Sequence, residues 1–138
     1  MTGRLDTDRA IVEEFRANHG RVGGDFRSVP LLLLTHTGAK TGRRHTSPLT
    51  YLRDGDRIVI FASNFGGPGN PAWYHNLRAD PRAFVELGTE SFDVVANVAT
   101  GDERDRLFAR QVARAPIFAS FQSRTTRRIP VVVLTRAG

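Results

Sequence analysis

At 138 residues, with 40% apolar and 25% charged residues, the chain has the size and composition of one globular domain, which excludes disordered and collagen-like classes. It holds no cysteine, so disulfides, thiolate nucleophiles and cysteine-bound zinc are excluded, and a cytoplasmic protein fits best. The net charge of +6 is uneven: residues 26–79 carry seven bases against Asp54 and Asp56, a net of +5, which points to an anionic partner there. No apolar run approaches the roughly 18 residues of a membrane-spanning helix, and Met1-Thr2-Gly3-Arg4-Leu5-Asp6 lacks the apolar stretch of a signal peptide.

The elements follow in chain order within a single domain over 1–138, of which 1–28 form an N-terminal helix and linker. Asp6 or Thr7 is placed to cap a first helix running to Asn18, with Ile11, Val12 and Phe15 on one face and Gly20 as its stop. Gly23-Gly24 then make a flexible corner. From Leu31 the pattern changes to a short apolar run bounded by Pro30 and Gly38, which predicts a buried strand over 31–36. A second strand is predicted over 46–53, at an edge or a bulge because Pro48 cannot donate to a ladder. Asp54-Gly55 signals a hairpin into a strand over 57–62.

A glycine-rich loop over 65–69 leads to Asn70-Pro71, read as N-cap and first residue of a short helix that ends at Asp80-Pro81. Residues 82–87 and 91–99 form a further hairpin around Gly88. Thr100 and Glu103 have the spacing of a capping box that opens a helix to Arg114. A short segment over 116–124 precedes a last strand over 129–135. Six strands joined by hairpins, with only short helices between, predict an α+β fold: a six-stranded antiparallel barrel with helices outside. A parallel sheet would need crossover helices that this chain lacks.

Two segments carry candidate chemistry. In Thr37-Gly38-Ala39-Lys40-Thr41-Gly42-Arg43-Arg44-His45 two glycines free the backbone to turn tightly, beside three cations and two threonine hydroxyls. It is not a phosphate-binding Walker loop, because Leu34 and Ala39 stand where that loop needs glycine. The run suits an anion, and it equally suits a solvated basic turn. The second segment, residues 64–77, joins the glycine-rich loop to a helix bearing Trp73, Tyr74, His75 and Asn76. Trp73 could wall an aromatic ligand, or with Leu77 simply dock the helix on the barrel.

His19, His36, His45 and His75 show no metal-ligand spacing, so no metal is expected, and no G-x-S-x-G or G-x-G-x-x-G motif is present. Paired carboxylates are also missing, since Asp54 and Asp56 belong to a turn. A ligand site without a side-chain nucleophile points to a bound cofactor as the reactive group. A nucleic-acid partner is argued against, because residues 36–53 offer only Tyr51 for base stacking.

Taken in order, Glu14-Phe15-Arg16-Ala17-Asn18, Leu33-Leu34-Thr35-His36-Thr37-Gly38-Ala39-Lys40-Thr41-Gly42-Arg43, Ser47-Pro48-Leu49, Phe61-Ala62-Ser63-Asn64, Asn70-Pro71-Ala72-Trp73-Tyr74-His75-Asn76-Leu77 and Ile129-Pro130-Val131-Val132 resemble the deazaflavin-dependent nitroreductase family over about residues 10–135. The resemblance implies a split β-barrel of the FMN-binding type. It also implies hydride transfer from reduced coenzyme F-420, ahead of FMN, to a small hydrophobic acceptor such as a quinone or nitro compound. The alternative is a protein of the same fold that binds a flavin, deazaflavin or lipid-like ligand without turnover.

By the same resemblance Lys40, Thr41, Arg43 and Arg44 would hold the coenzyme's anionic tail, with His45 and Pro48 also among the cofactor-binding residues. Phe61, Ala62, Ser63 and Asn64 would run along its ring, with Pro71, Ala72, Trp73 and Asn76 on the other side. Ser63 is the implied proton donor or orienter, and Phe15, Phe118 and Phe121 the implied acceptor contacts. His45 departs from the arginine usual in the family. Phe118 and Phe121 lie where the family's namesake has tyrosines, which removes hydroxyls that could bond an acceptor. A peripheral membrane contact, and a monomer or homodimer, are both compatible with the resemblance.

Overall fold

The computed structural model describes residues 4–23 and 30–137. Helix α1 spans Arg4–Ala17, β1 Leu31–Thr37, β2 Arg44–Thr50, β3 Leu52–Asp54 and β4 Arg57–Phe61. After a 3-10 turn at Asn64–Gly66 come α2 (Ala72–Ala79), β5 (Arg82–Leu87), β6 (Glu90–Val98), α3 (Gly101–Arg114), α4 (Ile117–Ser123) and β7 (Val131–Arg136). Every strand pairing is antiparallel, and the sheet runs β2-β1-β5-β6-β7-β4-β3. Its two outer strands, β2 and β3, are separated in the chain by Tyr51 alone. A sheet whose opposite edges are one residue apart has to curl upon itself, and this produces the split barrel.

The same junction raises the strand count from the expected six to seven. The predicted strand over 46–53 is two strands, because β2 pairs with β1 while β3 pairs with β4 on the far edge. Pro48 does sit on an edge, opposite Leu33, where its missing N–H faces no further strand.

Side-chain alternation along the strands separates the cores. Leu32 and Leu34, Ile58 and Ile60, Val132 and Leu134 point inward and meet Val85, Val94 and the α2 residues Trp73, Tyr74 and Leu77. Their neighbours Val59, Phe61, Val131 and Val133 point outward and pack under α3 and α4 with Leu107, Phe108, Phe118 and Phe121. Leu33 faces a third, smaller cluster with Val12 and Phe15 of α1. Strands buried on both faces explain why the sequence shows apolar runs there and no alternation.

Three helix starts differ from expectation. Helix α1 begins at Arg4, so Asp6 and Thr7 lie inside it; Arg and Leu are good helix formers and carry the helix back past them. The corner expected at Gly23-Gly24 runs into residues outside those described. Pro71, not Asn70, is the N-cap of α2, with extended backbone at φ −67 and ψ 156. Thr100 does precede α3, yet neither half of the capping box forms. Glu103 instead reaches Arg57 at 3.3 Å.

Polar contacts pin the outer helices. Asp54 accepts from Arg57, Arg106 and Arg110, and Arg110 and Arg114 also bond the carbonyls of Arg53 and Tyr51. Hydrogen bonds from Arg106 and Arg57 pull the Asp54 carboxyl down to about 2. Buried Arg104 lies over the Phe108 ring and donates to the carbonyl of Ile129 and the amide of Gln122. Among the described residues no helix is long and apolar enough to cross a membrane.

Candidate functional site

The tip of the β1–β2 hairpin is the basic run read from the sequence. The Gly38 N–H donates to the Arg43 carbonyl at 2.7 Å, and the Gly42 N–H donates to the Gly38 carbonyl at 2.9 Å. Thr41 Oγ1 accepts the Arg43 N–H at 3.2 Å, so its hydroxyl shapes the turn. Gly42 takes φ +71, a conformation L residues rarely adopt. A Cβ on Gly38 would lie 2.9 Å from Thr41 Oγ1 and 3.1 Å from His45 Nε2, so a larger residue there would push those side chains aside. Lys40, Arg43 and Arg44 are exposed and have no acidic partner among the described residues. That separates them from Arg16, Arg57, Arg82 and Arg110, each of which pairs with a carboxylate of the fold.

A chain of hydrogen bonds fixes this turn from below. The Ala39 N–H donates to Asn76 Oδ1 at 2.9 Å. Asn76 Nδ2 then donates to His36 Nδ1 at 3.0 Å, which leaves His36 Nε2 to carry the proton and donate to Ser47 Oγ at 3.0 Å. The roles are therefore assigned by the direction of the first bond. His36 is 3% exposed. Burial, with a smaller push from His45, lowers its pKa from 6.5 to about 4, so it is neutral at neutral pH. The two histidine rings are 5.9 Å apart.

Helix α2 links this turn to the second segment, because the loop after β4 runs straight into it. Phe61 and Ala62 are buried, Ser63 and Asn64 half-buried. Ser63 Oγ has no hydrogen-bond partner among the described residues, and Asn64 Nδ2 donates to the Gly69 carbonyl at 3.0 Å. Asn64 and Phe65 adopt φ +45 and +55, and Phe65 is 67% exposed. Two consecutive non-glycine residues in the left-handed region store strain, which persists where the surroundings over-determine the backbone.

The structure thus joins Lys40, Thr41, Arg43, Arg44 and His45 in one turn and Phe61, Ala62, Ser63 and Asn64 at one strand end. Pro48 lies half-buried in β2. Pro71 and Trp73 are buried and Ala72 is exposed, while Asn76 spends its amide on the turn. Trp73 and Leu77 dock α2 onto the inner core. Phe118 and Phe121 form edge-to-face contacts in the outer core, with Phe61 5.8 Å from Phe118, and Phe15 lies apart from them under α1. Sequence reasoning missed His36 and Ser47 as supports and Arg127 as a loop ligand, since their partners lie 11 to 65 residues away.

A family model described as F420H(2)-dependent quinone reductase matches residues 7–136. The chain is 43% identical over 126 residues to the F420H(2)-dependent quinone reductase Rv1261c of Mycobacterium tuberculosis H37Rv, covering 88% of this chain and 85% of that one. Among solved structures it is similar to an F420-H2 dependent reductase, FDR-A, with 34% identity and a TM-score of 0.71, covering 77% of this chain and 94% of the other. A protein solved as a domain-swapped dimer matches at 30% identity and a TM-score of 0.74, covering 92% and 96%.

Proposed function

The chain belongs to the F420H(2)-dependent quinone reductase family, and from that premise we propose that it is an oxidoreductase that takes a hydride from reduced F420 and delivers it to a quinone. The observation that supports this reading is the hairpin turn whose three cations have no acidic partner among the described residues. The turn is anchored through Asn76 to the helix that follows the Ser63–Asn64 loop. The residues present fit the coenzyme: the turn offers a lysine point charge and two arginine forks to its phosphodiester and acidic tail. A Ser63 hydroxyl with no partner among the described residues suits the edge of a flat ring.

When bound, reduced F420 supplies the hydride, and a proton must reach the quinone to complete a two-electron reduction. The chain's own work is to bind and orient. Lys40, Arg43 and Arg44 hold the anionic tail, and Thr41 and Asn76 keep their turn in shape. Ser63 Oγ, without a partner among the described residues, would orient the reacting edge or pass a proton to the acceptor oxygen. Pro71 and Trp73, both buried, support this region from beneath. Holding donor and acceptor in one orientation is the main source of rate acceleration where no side-chain nucleophile exists.

The test is anaerobic oxidation of reduced F420 by menadione, with titrations of F420, FMN and NADPH run side by side. Acceptor-dependent return of the oxidised coenzyme's absorbance supports the reading. Tight F420 binding with no turnover across a quinone panel would instead leave a binding protein of the same fold.

A further inference from the structure

Arg127 has no part in the chemistry just described, and its surroundings differ from those of the ion-paired arginines. It lies between α4 and β7, partly buried, and no carboxylate among the described residues pairs with it. Its Nε donates to the Gly67 carbonyl at 3.0 Å. Nη1 donates to the Ala62 carbonyl at 3.0 Å and to Asn70 Oδ1 at 2.7 Å, and Nη2 donates to the Ser63 carbonyl at 2.7 Å. All four acceptors belong to one stretch, residues 62–70. Burial lowers the guanidinium's pKa, yet arginine stays charged at any physiological pH, so these are charge-assisted bonds to neutral acceptors.

The stretch it grips is the strained one. Asn64 and Phe65 sit in the left-handed region between the gripped carbonyls of Ser63 and Gly67. Gly66, at φ +78, is pressed so closely on α4 that a Cβ would lie 2.6 Å from the Phe121 carbonyl oxygen. Arg127 is itself fixed: Gln122 Nε2 donates to its carbonyl at 2.8 Å, and Gln122 Oε1 accepts from the Ile129 N–H and from buried Arg104, each at 3.0 Å. The brace therefore runs from α3 through Gln122 and Arg127 to the loop that carries Ser63 and Asn64.

We propose that Arg127 is a positioning residue: its planar fork holds residues 62–70 in the strained shape that presents Ser63 and Asn64 to the coenzyme ring, and so sets coenzyme affinity without touching the coenzyme. The inference rests on the function proposed above. Lysine cannot substitute, since a single ammonium lacks the fork that reaches four acceptors arranged around one plane.

The experiment compares wild type with Arg127→Lys and Arg127→Gln, using Arg82→Lys, at the exposed first position of β5, as control. Amide hydrogen exchange is read in the coenzyme-free protein at Gly66 and Gly67, whose N–H groups bond the Ser63 and Asn64 carbonyls. F420 affinity is read by fluorescence titration. In Arg127→Lys both loop amides should exchange about ten-fold faster or more, with the Leu33, Val85 and Val133 amides unchanged, and the F420 Kd should rise about ten-fold. Added methylguanidine should recover part of the affinity of Arg127→Gln, which a general loss of stability would not allow. Unchanged loop exchange, or a loosened loop with wild-type Kd, overturns the proposal. A wild-type protein that does not bind F420 overturns the function itself and is recognised without any variant. Should Arg127→Gln fail to fold, Arg127→Lys alone decides.

Discussion

His36 uses both ring nitrogens, one accepting from Asn76 and one donating to Ser47, and a second proton would break the bond to Asn76. Its folded pKa of about 4 lies below the ordinary 6.5. Between those values the unfolded chain binds the proton and the folded one does not, so stability is full above pH ~6.5 and falls as the pH drops toward 4. The loss over that window should be roughly 2–3 kcal/mol, read as urea midpoints at pH 7 and pH 4.5, and His36→Gln should flatten it. The cations above it are instead the proposed ligand contacts. Lys40→Ala with Arg43→Ala should weaken F420 binding by several kcal/mol, about 2–5, with little change in melting temperature, because both side chains are exposed and have no acidic partner among the described residues. Unchanged affinity in a fluorescence titration would remove the turn from the site. Those cations were legible in the sequence because charge and glycine crowd into nine consecutive residues. His36, Asn76 and Ser47 were not legible as a unit, since their bonds span 11, 37 and 40 residues and depend on strand register.

The element that joins the two halves of the site is α2, and its docking is a packing problem. Trp73 is 5% exposed and lies in the inner core with Leu77, four residues on. Trp73→Phe should lower unfolding free energy by about 1–3 kcal/mol through the unfilled volume, while the F420 Kd stays within about two-fold, because the indole supports the helix from inside. Chemical denaturation beside coenzyme titration separates these; a large affinity loss at unchanged stability would make the indole a ring contact after all. Strand existence was legible wherever both faces are apolar, as in β1, β4 and β7. The division of 46–53 was not, because Tyr51 is no breaker and the switch from β1 to β4 is a choice of partner. The capping box at Thr100 failed for a related reason: Glu103 had a better partner in Arg57, across 46 residues.

At the scale of the molecule, closure of the sheet at Tyr51 places the β1–β2 turn and the β4–α2 loop on one body, and the charge imbalance gives that body a direction. Hairpin signals were enough to predict an antiparallel barrel, since each turn fixes only its own pair of strands. The excess of +5 over residues 26–79 includes Lys40, Arg43 and Arg44, none of which has an acidic partner among the described residues, whereas several arginines elsewhere are committed to Asp54, Asp80 or Glu86. A polyanionic coenzyme should therefore bind through a field that salt can screen. Raising NaCl from about 0.05 to about 0.5 M shortens the screening length from roughly 14 to roughly 4 Å. F420 affinity should fall about ten-fold across that range in the wild-type protein, and by only about three-fold in the Lys40→Ala, Arg43→Ala variant, which keeps Arg44 alone of the three cations. Equal salt slopes for the two proteins would mean that the tail rests on other cations, and the turn would then be only a solvated corner of the barrel.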